Sequence, residues 1–190
     1  MVKRYALMVC TPFRKMNIDC KNFCSDGFGF RAPVPYSIKD NKISIFFGKY
    51  TSPRFAEIYS VTLLLNNFGS NGICSNWEVI SYENNAIVQA GAKQTYSESG
   101  IVPSCWIQKD DKNFLFTIGF SDLNKHYFHA ESGLVVFDKQ MKVIERSTGP
   151  VLSRNYEDVY WAASPFVIKN KDQYLMFYTS AYGTVKLDGG

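Results

Sequence analysis

The 190-residue chain has no apolar run approaching the ~20 residues that a membrane-crossing helix needs, and its charged residues, 20% of the total, are interspersed throughout. No membrane span is expected. Its five cysteines, Cys10, Cys20, Cys24, Cys74 and Cys105, are odd in number and scattered, which fits reduced thiols and argues against a disulfide framework. Cys20 and Cys24 lack the second pair that would complete a zinc site. Lysines and arginines never run longer than two, so the net charge of +4 forms no phosphate-tracking stripe, and no nucleic-acid partner is expected. There is no Walker-type glycine loop and no GxSxG elbow, and no helix signal follows the glycines of DGFGF (26–30). The first residues, MVKRYALMVC, set two basic residues before a short apolar stretch. That stretch stops at Thr11-Pro12 without a small-residue cleavage site, so the chain reads as leaderless and cytoplasmic. No window shows a 3.6-residue apolar stripe bounded by caps.

What remains is rich in strand formers: 46% of residues are hydrophobic and 16% aromatic. One pattern is written three times. Pro35-Tyr-Ser-Ile38 leads through Lys39-Asp-Asn-Lys42 into ISIFFGKYT. Pro103-Ser-Cys-Trp-Ile107 leads through a Lys-Asp-Asp-Lys turn into NFLFTIGFS. Pro165-Phe-Val-Ile168 leads through Lys169-Asn-Lys-Asp172 into QYLMFYTSAYG. Each reads as an apolar strand, a polar turn and an aromatic-dense strand, a β-hairpin recurring at roughly 65 residues. FAEIYSVTLL (55–64), Trp77–Tyr82, SGLVVFD (132–138) and MKVIERS (141–147) add further strands, whereas 14–32 reads as loop. The expected fold is all-β, a propeller of four-stranded blades in one domain. Residues 1–34 form a leading loop and strand, and blade repeats run over 35–100, 101–162 and 163–190. Three repeats are too few to close a ring. Open edges, self-association or further blades outside this chain are therefore expected.

The segments Tyr96-Ser-Glu98-Ser-Gly100-Ile-Val-Pro103-Ser104, Asn113–Phe120, Gly149-Pro-Val-Leu-Ser-Arg154 and Asp158-Val-Tyr-Trp-Ala-Ala-Ser164-Pro165 resemble five-bladed β-propeller proteins of the glycosidase type. These are the arabinanase, xylosidase and invertase-like group, glycoside hydrolase family 43 or 32-like. The flavour is closest to bacterial propellers associated with surface-polysaccharide biosynthesis. The resemblance covers roughly residues 30–183. It implies a carbohydrate ligand, a central funnel where the inner strands converge, and a pair of carboxylates, one acid and one base or nucleophile. No cofactor or metal is implied.

Against that pattern, the stretch before the first hairpin, Arg31-Ala-Pro-Val-Pro35, has no carboxylate. Asp158 matches an acidic position of the relatives, with Glu157 beside it, and Glu98 stands one place from another. Asp158 and Glu98 are thus the candidate catalytic pair, with Arg54, Glu131, Glu157, Trp161 and His129 as candidate sugar contacts. The missing acid equally supports a catalytically silent glycan-binding or protein-interaction propeller. Simpler roles compete at each position. Glu98 fits a surface turn and Asp158 an Asx hydrogen bond. Arg54 and Glu131 fit solvated strand ends, and Trp106 fits packing between blades more readily than stacking on a sugar. His126 and His129 point to opposite faces of a strand, which argues against a shared metal.

Overall fold

The structure, a computed structural model, describes residues 30–52, 55–68, 74–124 and 127–181. Ten strands and, among the described residues, no helix make up the fold. The first four are β1 (Phe30–Lys39), β2 (Lys42–Ser52), β3 (Phe55–Phe68) and β4 (Cys74–Tyr82). The next four are β5 (Gly100–Lys109), β6 (Lys112–Asn124), β7 (Tyr127–Phe137) and β8 (Val143–Arg146). The hairpin of β9 (Trp161–Asn170) and β10 (Gln173–Ala181) completes them. Strand β1 begins inside the stretch expected to be loop.

The three repeated hairpins turn tightly because their central residues accept the left-handed backbone. Asp40 and Asn41 have φ 50° and 60°, Asp110 has 54° and Lys171 has 55°. Asn and Asp tolerate this region better than other non-glycine residues. Counting back from these turns shows a shared irregularity in the inner strands. The register slips between Arg31 and Val34, between Pro103 and Cys105, and opposite Ser164-Pro165, where Phe177 and Thr179 lose step. Proline has no N–H to lose from a ladder, so a bulge is where a strand tolerates it. The turn register sets Pro33, not Pro35, against Pro103. A second slip in β1, between Pro35 and Ser37, separates the two prolines' environments.

Two antiparallel meanders, β1-β2-β3-β4 and β5-β6-β7-β8, form complete four-stranded blades. The hairpin β9–β10 starts a third. It pairs with the second sheet through a short parallel ladder of Ala130 with Trp161 and Glu131 with Ala162. The sheets do not close on one another, and the chain is an incomplete β-propeller. Phe46, Ile58, Val34 and Val88 of the first blade and its following segment pack on Ile101, Leu115, Val135 and Phe137 of the second. Trp106 lies in this seam, 5.4 Å from the Phe46 ring and 5.7 Å from that of Phe137, so its role is packing between blades.

Candidate functional site

The inner strands β1, β5 and β9 begin at one end of the molecule, and steric and hydrogen-bond contacts tie their first residues together. A Cβ on Gly48, the partner of Arg31, would stand 2.5 Å from Val102 Cγ1 and 3.5 Å from the Arg31 carbonyl oxygen. Gly100, at φ 142°, lies where a Cβ would be 2.7 Å from the Ala56 nitrogen, so both conformation and space require glycine. Between the second and third inner strands, Ser104 Oγ donates to the Pro165 carbonyl at 2.8 Å, and the Val167 N–H donates to Cys105 Sγ at 3.3 Å. None of these openings, 30–34, 100–104 and 161–165, carries Asp or Glu. Ile101, Val102, Ala162 and Ala163 are buried there.

The carboxylates lie beside this convergence and are held by their neighbours. Glu98 Oε2 accepts the Gln94 N–H at 2.6 Å, turning the carboxylate back onto its own loop. Asp158, 1% exposed, accepts at Oδ2 from Asn155 Nδ2 at 3.0 Å and from the Tyr178 hydroxyl at 3.1 Å. Asn155 Oδ1 in turn accepts the N–H groups of Glu157 and Asp158 at 2.7 and 3.1 Å. The Asx hydrogen bond of this turn therefore belongs to Asn155, and Asp158 pins the turn to β10. Gly100, Phe120, Ala130 and Trp161 are successive cross-strand partners. Gly100 and Trp161 therefore lie at the two ends of one four-strand row. The loops bearing Glu98 and Asp158 approach from the two ends of that row.

Glu131 was expected to open a strand; it lies inside β7. It is nearly buried, and its Oε1 accepts the Arg154 backbone N–H at 3.1 Å and stands 3.6 Å from Arg154 Nε. Arg154 Nη1 also donates to the Val159 carbonyl at 3.4 Å. His129 shares Glu131's face of β7. Burial holds its pKa below the usual 6.5, the charge of Arg154 pushes the same way, and Glu131 opposes both. No hydrogen bond among the described residues reaches His129 Nδ1. Trp161 registers with Ala130, out of phase with His129 and Glu131, and Glu157 is exposed. Arg54 and His126 lie outside the described residues. The structure thus groups Glu131, Arg154 and His129, and separately Asp158, Asn155 and Tyr178. Arg154, Asn155 and Tyr178 had no assigned role in the sequence reading. Asn155, three places before Asp158, was the one legible signal, as the start of an Asx turn.

No protein-family model and no curated protein matches the chain. Solved structures do. The beta-1,2-mannobiose phosphorylase of Listeria innocua, in complex with beta-1,2-mannobiose, superposes with a TM-score of 0.56 at 13% identity, over 80% of this chain and 42% of its own. Zg3597, a family 117 glycoside hydrolase of Zobellia galactanivorans, gives 0.56 at 15% identity, over 82% and 49%. Sucrose-6-phosphate hydrolase of Lactobacillus gasseri gives 0.51 at 10%, over 80% and 29%. The fold is that of a glycosidase-like propeller. The chain spans less than half the length of each of these proteins.

Proposed function

We propose that this chain is a carbohydrate-active propeller that binds a glycan and does not hydrolyse it by a facing carboxylate pair. One observation carries this reading: the three inner-strand openings converge without an acidic residue, while Glu98 and Asp158 are held in separate turns. Glycosidic hydrolysis needs an acid and a base or nucleophile roughly 5–9.5 Å apart across the sugar. The likeness to three proteins named for carbohydrate chemistry supports a sugar as the ligand. In this reading Glu131 accepts from sugar hydroxyls and Arg154 donates to them, since one carboxylate oxygen is fixed by Arg154 and no hydrogen bond among the described residues reaches the other. Trp161 lends an aromatic face at the start of β9. Asp158 holds the neighbouring loop in place.

The test is a glycan array of mannosides, galactosides and fructosides. Hits are measured by calorimetry with wild type and Glu131→Gln, alongside hydrolysis and phosphorolysis assays on the same sugars. Binding weakened at least tenfold by Glu131→Gln, without turnover, is expected. Turnover lost on Asp158→Asn would restore the catalytic pair, and no binding to any glycan would remove carbohydrate from the account.

A further inference from the structure

The loop from Arg154 to Tyr160 stands with both ends on two neighbouring residues of β7. The Arg154 N–H donates to Glu131 Oε1 at 3.1 Å, and the Ala130 N–H donates to the Tyr160 carbonyl at 3.4 Å. Residues 154–160 therefore leave the sheet and return to it at one place, in the manner of an Ω-loop of ~6–16 residues. Hydrogen bonds fix the loop along its length. Asn155 and Asp158 clasp one another through side chain and backbone, and the Tyr178 hydroxyl ties Asp158 to β10. Arg154 Nη1 donates to the Val159 carbonyl, and the Tyr160 N–H donates to the Ala181 carbonyl at 3.0 Å.

The tip of this pinned loop holds Tyr156 in solvent. It is 83% exposed, the highest value of any large hydrophobic side chain among the described residues. A tyrosine ordinarily lays its apolar body on the protein and keeps only its polar end wet. Here the backbone is fixed and the ring is left uncovered. At the foot of the loop Arg154 Nε is buried, 3.6 Å from Glu131 Oε1, with no hydrogen-bond acceptor among the described residues. A buried donor in that state calls for a partner. The Cα atoms of Arg154 and Tyr156, two residues apart, are separated by no more than about 7 Å.

We propose that Tyr156 is a stacking platform for the second unit of an oligosaccharide whose first unit lies against Glu131 and Arg154. This rests on the glycan-binding reading above and adds the class of ligand, a chain of two or more sugars in place of a free monosaccharide. The Asn155–Asp158 clasp separates foot from tip, so a unit seated at the foot leaves the ring at the tip to the next one. An apolar protein partner would cover Tyr156 and leave the Arg154 donor unmatched. A glycan, with hydroxyls at its edges and C–H groups on its faces, meets both. The aromatic ring has two side-chain torsions to lose and its backbone is already held, so little ordering opposes the contact.

Calorimetry on the full chain with mannose, galactose and fructose, and with the two-unit and three-unit oligosaccharides of each, reads the affinity gained per added unit. In the series that binds, two units should bind about fivefold tighter than one, the gain of one aromatic stacking contact. Tyr156→Ala should erase that gain while one-unit binding and the unfolding midpoint stay as in wild type, and Tyr156→Phe should keep it. Tyr156→Ser repeats the test should the alanine variant fold poorly. Glu131→Gln should weaken every length alike. An affinity that does not rise from one unit to two overturns the proposal. So does a gain that survives both the alanine and the serine, or a loss on Tyr156→Ala that is equal for one unit and two. Each of those results leaves glycan binding at Glu131 standing, whereas no binding in any series removes both.

Discussion

Gly119 on β6 and Gly133 on β7 form a platform on which the ring of Tyr96 lies. A Cβ on Gly133 would collide with the Tyr96 hydroxyl and stand 2.5 Å from Cζ. A Cβ on Gly119 would instead meet the ring edge, 2.5 Å from Cε2, and stand 2.9 Å from Ser97 Cβ. Tyr96 is buried and cannot swing away. Each Gly→Ala change should therefore cost about 2–3 kcal/mol, the upper part of the overpacking range. Tyr96→Phe alone should cost about 0.5 kcal/mol, because the bond it removes, to Ser147 Oγ, is long at 3.4 Å. The two glycines then separate. In the Tyr96→Phe background the closest atom to Gly133 is gone, and its penalty should fall by about 1 kcal/mol. The penalty at Gly119 should not change. Urea unfolding followed by tryptophan fluorescence measures wild type and all five variants, and in thermal unfolding each kcal/mol should move Tm by about 2–4 °C in a chain of this size. Equal coupling at both glycines, or a Gly133→Ala cost under about 0.5 kcal/mol, would refute this placement of the segment leading to Glu98 and β5.

Asp158→Ala removes the acceptor of both Asn155 and Tyr178 and should cost about 2–3 kcal/mol. Asp158→Asn keeps one oxygen and should cost about 1 kcal/mol, both read by the same unfolding assay, with faster proteolysis in the 154–160 loop. Burial and Arg154 hold His129 below its ordinary pKa, so near pH 6 the unfolded chain binds more protons than the folded one. The His129 contribution is fully present above about pH 6.5 and is lost as the pH falls through the lowered folded value. Subtracting the stability of His129→Gln from that of wild type at each pH should therefore give a difference that rises from pH 5 to pH 7. A flat difference would contradict the buried placement of the ring.

The hairpins were legible because a turn of Asp, Asn and Lys between an apolar and an aromatic strand has few other conformations. Their alignment was less so. Pro33 and Pro35 look alike in sequence, and only the additional slip at Pro35/Ser37 shows which one occupies the shared bulge. That the described sheets do not close into a ring was visible as a shortage of repeats. The candidate site was only partly visible. Asp158 is tied to Tyr178, twenty residues on and across a hairpin, and Glu131 to Arg154 through a loop of no regular pattern. No periodicity encodes such pairs. Glu98 was equally compatible with turn and pocket until the backbone N–H of Gln94 took its oxygen.

Ala32 and Ser164 sit at the same bulge in β1 and β9 with φ 52° and 55°. A left-handed conformation costs a residue with a Cβ about 1–2 kcal/mol, and such strain persists only where the surroundings hold it. At the corresponding end of β5 the bend is obtained with Gly100 at φ 142° and the bulge at Ser104. All three inner strands therefore keep the irregular backbone that turns their first residues toward one another. What they bring together is Ile101, Val102, Ala162 and Ala163, each at most 4% exposed. Under the reading proposed above, openings that carry no carboxylate do not themselves offset the positive charge that develops on a sugar ring as its glycosidic bond breaks. In that reading the convergence shapes a binding site whose polar contacts come from the flank, where Glu131 and Arg154 stand. The bend and the carboxylates are separable here: the bulged backbone is present in all three inner strands, and no Asp or Glu stands in 30–34, 100–104 or 161–165.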